Sequence, residues 1–409
     1  MKKNLFFSAL MLGALVLAGC NGTSDTPSTT TTKLWPAYNT SAELYGYIDA
    51  KGKWAIPAQF TEASSFFSAG YAIVKINGQN AFIDTKGAVQ NCVSFDSANP
   101  FLYGYSLASL NGKYGLINTK FEFAIQPVYS GLTGMSSDGL VTYQAASDKY
   151  GFLDKNGKVQ LDKNGNPLYF ESAGIFRDGY CVVCSDLSRE DDRIPTYQLI
   201  NKKGEATISE GQYMYMQNLG LGIVGAVKKD KDAYYSREGQ LIKADGTVLS
   251  SKTYNDAGEF SADKVAYVGK LEGDDIKYGY IDEKGNEVVS LIYDNANVSS
   301  EGFAWVLDDK TWKLLEVKKG NIAFACKEIT DNVYERPLCG VHNGLTLVGK
   351  ASYSDGDVSR EYRWVDTKGN TVFSWNYDQD KYRGDLEPAA WAPARKQNKI
   401  EIDEYVFLK

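Results

Sequence analysis

Residues 45–60 read YGYIDAKGKWAIPAQF, and the same grammar returns as YGLINTKFEFAIQPVY from Tyr114 and as YGYIDEKGNEVVSLIY from Tyr278. Two β-prone runs are separated by a few residues that end in glycine, which is the pattern of a hairpin whose glycine takes the left-handed conformation. An Asp or Asn three residues before that glycine accepts hydrogen bonds from the N–H groups of the turn, which accounts for the shared residue type. The copies predict turn residues at Asp49 and Gly52, Asp84 and Gly87, Asp154 and Gly157, Asn201 and Gly204, Asp282 and Gly285, and Asp366 and Gly369. In a further copy Asn118 is followed by Phe121 in the glycine's position. Two degenerate copies carry Lys243 with Gly246 and Glu316 with Gly320.

Each copy holds more than one hairpin. YAIVKINGQNAFID, from Tyr71, sets Asn77-Gly78 between two alternating runs, and Asn111-Gly112 does the same in the next copy. Asn-Gly in that setting is a strong signal for a two-residue hairpin. A third segment links the hairpins: FTEASSFFSAGYA, FDSANPFLYGYS, FESAGIFRDGYC and YDNANVSSEGFA each open on an aromatic residue and close on a glycine before the next strand. The unit is three clear strands plus a short fourth, repeated about nine times over residues 41–409 at a period of roughly 35 residues. So small a unit cannot bury enough apolar surface to offset the ordering of its own backbone, so neighbours must stack and share a core. The expected fold is all-β: tandem antiparallel meander repeats closing into a β-propeller-like ring, with an open β-superhelix as the alternative. The strand-like IEIDEYVFLK (Ile400–Lys409) is the candidate to pair with the first copy and close the ring. The 28 tyrosines and 39 glycines, against five methionines, agree with many strands and turns and few helices.

Tyr-Gly-Tyr-Ile-Asp, then Lys-Gly, then Trp54-x-Ile56-Pro57, then a Phe-rich segment resembles the WG (KWG) repeat of bacterial proteins. Tyr45, Tyr114, Tyr150 and Tyr278 stand where that repeat usually has tryptophan. The resemblance covers most of residues 41–409 and thins in the second half. It implies a repeat fold and an interaction role, and it brings no catalytic residues.

The first residues, MKKNLFFSALMLGALVLAGC, combine two lysines, an apolar run too short to span a bilayer, and LAGC. This resembles a lipoprotein signal peptide (1–19) ending in a lipobox, with Cys20 as the lipid-carrying residue. Residues 20–40 are then expected to be anchor and disordered tether, since Asn21–Thr32 are small, polar and Pro-containing. Asn21, rather than Asp, after the cysteine favours the outer membrane of a diderm envelope. Loss of Lys2 and Lys3 takes the net charge from −7 to −9, which argues against nucleic acid as a partner.

Candidate chemistry is sparse. A lone histidine, His342 in CGVHNG, excludes sites built on two imidazoles and is read as a loop residue. Cys181 and Cys184 spell CVVC but overlay the strand GYAIVK, so they fall on opposite faces, unlike a redox pair. Cys92, Cys326 and Cys339 complete the five thiols besides Cys20, and a Cys326–Cys339 staple is left open. DKNGKVQLDKNGNP (Asp154–Pro167) places glycine fourth in each half, as hairpins require, whereas a calcium loop wants it sixth. Trp305, Trp312, Trp364, Trp375 and Trp391 are either stacking platforms or core, and Trp364 occupies the position of Tyr47. No cofactor, metal or catalytic residue is expected.

The expected function is a lipid-anchored, non-enzymatic envelope protein. It would bind a protein or glycan through the loops that vary between copies, near Asp186–Arg193, Gly269–Asp275 and Asp331–His342. The alternative is a carboxylate-dependent, propeller-type glycoside hydrolase or lyase, which requires acids from several copies to converge. A purely architectural role in a surface complex is a third possibility.

Overall fold

The computed structural model describes residues 33–66, 69–145, 149–187, 195–229, 238–330, 332–354 and 357–378. The expectations for the leader, Cys20, the tether up to residue 32, residues 188–193 of the Asp186–Arg193 loop, Trp391 and Ile400–Lys409 lie outside these residues.

Among the described residues every sheet is antiparallel, with strands side by side in chain order. Unit 3 shows the plan: a two-residue strand Ser97–Ala98, two central strands Tyr105–Leu110 and Lys113–Asn118, and a fourth strand Phe123–Tyr129. The units are numbered here by their turns, from unit 1 at Asp49 to unit 9 at Asp366. Eight sheets carry nine units, because Ala206–Gly220 is both the fourth strand of unit 5 and the first of unit 6 and merges them into one seven-stranded sheet. The fourth strand alternates buried and exposed residues, as in Trp54–Phe60, while the central strands are largely buried. The fourth strand therefore forms the outer edge of the ring, and the short first strand the axial edge.

Unit 1 begins earlier than expected. Trp35–Asn39 is its first central strand, paired with Leu44–Ile48, so residues assigned to the tether belong to the ring. Asp331–His342, expected to be a loop, includes the axial strand Val333–Pro337 of unit 9.

The hydrophobic core lies between units rather than within them. Among the described residues, each of nine clusters joins two neighbours. One sets Tyr47, Ile56 and Phe60 of unit 1 against Phe66, Val74 and Ile83 of unit 2. Another packs Trp305 and Leu314 of unit 8 on Val348 and Val365 of unit 9. The last joins Leu347, Trp364 and Trp375 of unit 9 to Trp35, Tyr38 and Ile48 of unit 1, so the ring closes. Among the described residues the closing contact is made by unit 9. Trp305, Trp312, Trp364 and Trp375 are all buried, so these indoles are core and not exposed platforms.

The glycine of the Tyr-Gly-Tyr motif has a steric reason. A Cβ on Gly46 would lie 2.6 Å from Ile56 O, one on Gly115 2.5 Å from Ile125 O, and one on Gly279 2.4 Å from Val289 O. The outer strand bulges at this level and its backbone crosses close over the central strand, where only glycine fits.

Candidate functional site

Antiparallel order sends successive connections to alternate faces of the ring. The axial-to-central loops and the Asp-x-x-Gly turns emerge on one face, here the turn face. The central hairpins and the outer-to-axial passages emerge on the other, the hairpin face.

On the turn face the side chains do structural work. Asp49 Oδ1 accepts from Lys51 N at 2.8 Å and from Lys53 N at 3.0 Å. The same pair of bonds recurs at Asp84, Asn118, Asp154, Asn201, Asp282 and Asp366. Gly52 closes its turn at φ 74°, as do Gly87, Gly157, Gly204, Gly285 and Gly369 at similar angles, and Phe121 adopts φ 62° in the glycine's stead. Asp162 repeats the turn with Gly165, so DKNGKVQLDKNGNP is two such turns. These glycines also meet the preceding unit: Gly87 rests on Ile56, Gly204 on Leu168, Gly285 on Leu249, Gly369 on Phe324, and Gly52 on Val372 across the closure.

A second set of carboxylates on this face escaped the sequence reading. Asp138 accepts from Gly179 N at 3.0 Å, Asp178 from Leu221 N at 2.5 Å, Asp263 from Gly302 N at 2.8 Å, and Glu301 from Asn343 N and Gly344 N at 2.6 and 2.8 Å. Each acid clamps the matching loop of the next unit. The signal was an acid near the end of the linking segment, as in SSDG, FRDG and SSEG.

His342 sits at the closure. Its carbonyl accepts the Trp35 indole N–H at 3.0 Å, and its Nε2 lies 3.2 Å from Phe66 O and 3.0 Å from Asn343 Nδ2. Burial holds the imidazole below its usual pKa, opposed by Glu301 and by the Phe66 carbonyl. Cys181 and Cys184 share the strand Tyr180–Cys184 and enter different core clusters, which puts them on opposite faces. Burial raises both thiols, Cys184 to about 11. Cys326 and Cys339 are free thiols, so no staple joins them. Among the described residues no group of three or more His, Cys, Asp or Glu side chains is arranged to hold a metal ion.

The hairpin face is uneven. Units 2, 3 and 8 have central strands of six residues joined by two-residue turns, with Asn77-Gly78 and Asn111-Gly112 in the left-handed conformation that Asn-Gly predicts. The strands are eight residues long in unit 7 (Val265–Glu272, Asp275–Asp282) and ten in unit 9 (Leu345–Ser354, Asp357–Asp366). At about 3.3 Å per residue these hairpins stand roughly 7 and 13 Å taller. Gly269–Asp275 therefore belongs to a projecting hairpin.

At the axial rim of this face, Asp256 and Tyr215 occupy equivalent positions on neighbouring axial strands. Tyr278 donates its hydroxyl to Asp256 Oδ2 at 3.2 Å, and the rings of Tyr267 and Tyr278 meet edge to face with centroids 6.1 Å apart. Asp256 is exposed, and desolvation by the neighbouring side chains pushes its carboxyl above its ordinary pKa, against the Tyr278 hydroxyl and the Ala257 N–H, which lower it. Its charge in turn helps raise the phenols of Tyr215, Tyr267 and Tyr278, which burial already raises. Glu259 is raised by burial too, but Arg177 Nη1 lies 2.8 Å from it.

The model of the WG-containing repeat family matches residues 45–79, 114–144 and 278–312. No curated protein matches this chain in sequence. The crystal structure of a eukaryotic initiation factor superposes with a TM-score of 0.55 at 11% identity, over 85% of this chain and 96% of that one. A dipeptidyl aminopeptidase IV homologue from Bacteroides ovatus superposes at 0.45 with 10% identity, over 84% of this chain and 64% of that one. The WD40 domain of SCAP from fission yeast gives 0.28 and 7%, over 68% and 72%. At 11% identity the first likeness is one of fold alone.

Proposed function

We propose that this WG-containing repeat protein is a non-enzymatic binding protein of a bacterial envelope, engaging a protein or glycan partner through its hairpin face and anchored by lipid on Cys20. The observation that carries the reading is the contrast between the faces. The turn face repeats one hydrogen-bonded turn with little variation, whereas the hairpin face differs from unit to unit and projects at units 7 and 9. Variation concentrated on one side of a rigid repeat scaffold is how such proteins build a contact surface. Among the acids near the axis, Glu259 is occupied by Arg177 and Asp256 by a tyrosine hydroxyl, which favours binding over acid–base catalysis by facing carboxyls.

Lipid attachment and an outer-membrane address are supported by LAGC and Asn21 in the sequence. Metabolic labelling with an alkynyl fatty acid tests the anchor: label should enter the native chain and be absent from Cys20→Ser. For the partner, the full chain is cross-linked in detergent-solubilised envelope beside a variant with the 271–274 hairpin tip shortened. A protein or glycan recovered by the native chain and reduced with the variant is expected. Recovery of nothing above background from the native chain overturns the reading.

A further inference from the structure

The axial rim gives this binding surface a chemical preference, by comparison of unit 2 with unit 7. In unit 2 the axial strand begins at Glu62, whose cross-strand neighbour is Lys75, and the two form an ion pair at 2.9 Å. In unit 7 the equivalent acid is Asp256 and the equivalent neighbour is Gly269. The acid is kept and its cation is gone. Among the described residues Asp256 forms no ion pair with a lysine or arginine, although Glu259, Glu287 and Asp294 nearby in the chain each do.

The space left by the missing side chain is filled by Ile276, whose Cγ2 would lie 2.7 Å from a Cβ on Gly269, and by aromatic rings. A Cβ on Gly269 would come 2.8 Å from the Tyr278 ring, and one on Gly258 would come 2.2 Å from the Tyr267 ring. Two glycines thus admit two tyrosines beside the acid, and Tyr215, 41% exposed, stands within electrostatic range from unit 6. A carboxylate without a cationic neighbour attracts a cation through its charge, and the partly exposed rings of Tyr215 and Tyr267 offer apolar surface to the stem of a lysine or arginine.

We infer that Asp256, with Tyr215, Tyr267 and Tyr278 near it, takes a lysine or arginine side chain from a protein partner. The inference rests on the hairpin face being a binding surface, and it narrows that reading from any partner to a basic polypeptide. The ligand cation replaces, from outside, the lysine that unit 2 supplies from its own strand. The desolvated state of the Asp256 carboxyl supports this, because a crowded anion that has a hydroxyl donor but no cation gains from an incoming positive charge.

The full chain is titrated with a lysine-rich peptide, with the same peptide acetylated on its lysines, and with a neutral chito-oligosaccharide. Binding is followed by calorimetry on the native protein, Asp256→Asn and Tyr215→Ala, with thermal melts confirming that each variant is folded. The native chain is expected to bind the unmodified peptide, with affinity falling about tenfold or more on acetylation, in Asp256→Asn and at high salt. Equal affinity for Asp256→Asn, equal binding of the acetylated peptide, binding of the saccharide alone, or no binding of any probe overturns the inference. The envelope cross-linking separates the two levels. A partner captured equally by native chain and Asp256→Asn leaves the binding reading standing and removes only the cationic anchor.

Discussion

Trp364 and Pro36 are 328 residues apart in the chain and are joined by the indole N–H of the one donating to the carbonyl of the other at 2.8 Å. In unit 1 the equivalent aromatic, Tyr47, donates to Ser64 O just past the axial strand of unit 2, and in unit 7 Tyr280 donates to Asn297 O just past that of unit 8. At the closure the larger indole reaches the central strand instead. Pro36 O corresponds to Ile73 O of unit 2, which there receives the backbone N–H of Ser64. Replacing Trp364 with Phe keeps most of the packing but leaves a buried carbonyl unpaired. The expected cost is about 1–3 kcal/mol, read as a lower midpoint in urea with the slope unchanged.

A buried charge supports the same unit. Glu335, 1% exposed, is held by Arg363 and by Lys327 N. Arg363→Met should cost about 3–5 kcal/mol by leaving the carboxylate uncompensated, while Arg363→Met combined with Glu335→Leu should cost clearly less. Equal losses in the single and double variants would show that the ion pair is not what the site depends on.

The close crossing of strands predicts a contrast between glycines. Gly46→Ala pushes a Cβ into the Ile56 carbonyl and should destabilise by about 1–3 kcal/mol. At Gly134 the added Cβ meets nothing within 4 Å, and the change should stay within roughly 0.5 kcal/mol. Chemical denaturation of the two variants decides it.

The turns predict both a substitution pattern and a pH response. Asp282→Ala removes the acceptor for Lys284 N and Asn286 N and should cost about 1 kcal/mol. Asp282→Asn should be close to neutral, because Asn118 and Asn201 already do the same work. Burial opposes ionisation of Asp282, but hydrogen bonds from Asn286 and Lys284 outweigh it and hold the carboxyl below its ordinary pKa. That contribution is complete above the unfolded value of about 3.9 and is lost as pH falls through the folded one. The acid-side loss should shrink in the Asn variant when melts at pH 6 and pH 3 are compared.

His342 adds a second window, closer to neutrality. Its folded pKa is depressed, so the unfolded chain takes up the proton first as pH falls. Stability is complete above about pH 6.5 and declines as pH drops from there towards the folded value. The difference in melting temperature between pH 8 and pH 5 should narrow in His342→Gln, and an unchanged difference would remove His342 from the account.

How much of this could be read in advance depends on the range of each interaction. The repeat, the Asp-x-x-Gly turns, the Asn-Gly hairpins and the opposed faces of Cys181 and Cys184 rest on neighbours a few residues apart, and short-range grammar reports them. The short fourth strand was legible as an element of each unit, but two residues, such as Ser97–Ala98, are too few to show a period and so to fix its place. The seam between Trp35 and His342 spans more than 300 residues of chain, a range that no local pattern reports. The position of Trp364 at the place of Tyr47 already pointed to the core, and the neighbouring units supply the burial of Trp305 and Trp364. Asp256 was one acid among 51, and only its alignment with Glu62, with Gly269 in place of Lys75, sets it apart.

Because unit 9 abuts unit 1 through the same kind of apolar contact that joins the others, the architecture has no first or last member even though the polypeptide does. New termini opened at Asn77-Gly78, with the stretches near residues 33 and 378 bridged, would leave all nine apolar contacts intact. Excising one unit would instead expose two complementary faces at once. Such a molecule tolerates circular permutation far better than truncation, and a change in repeat number demands that the whole circumference be re-curved.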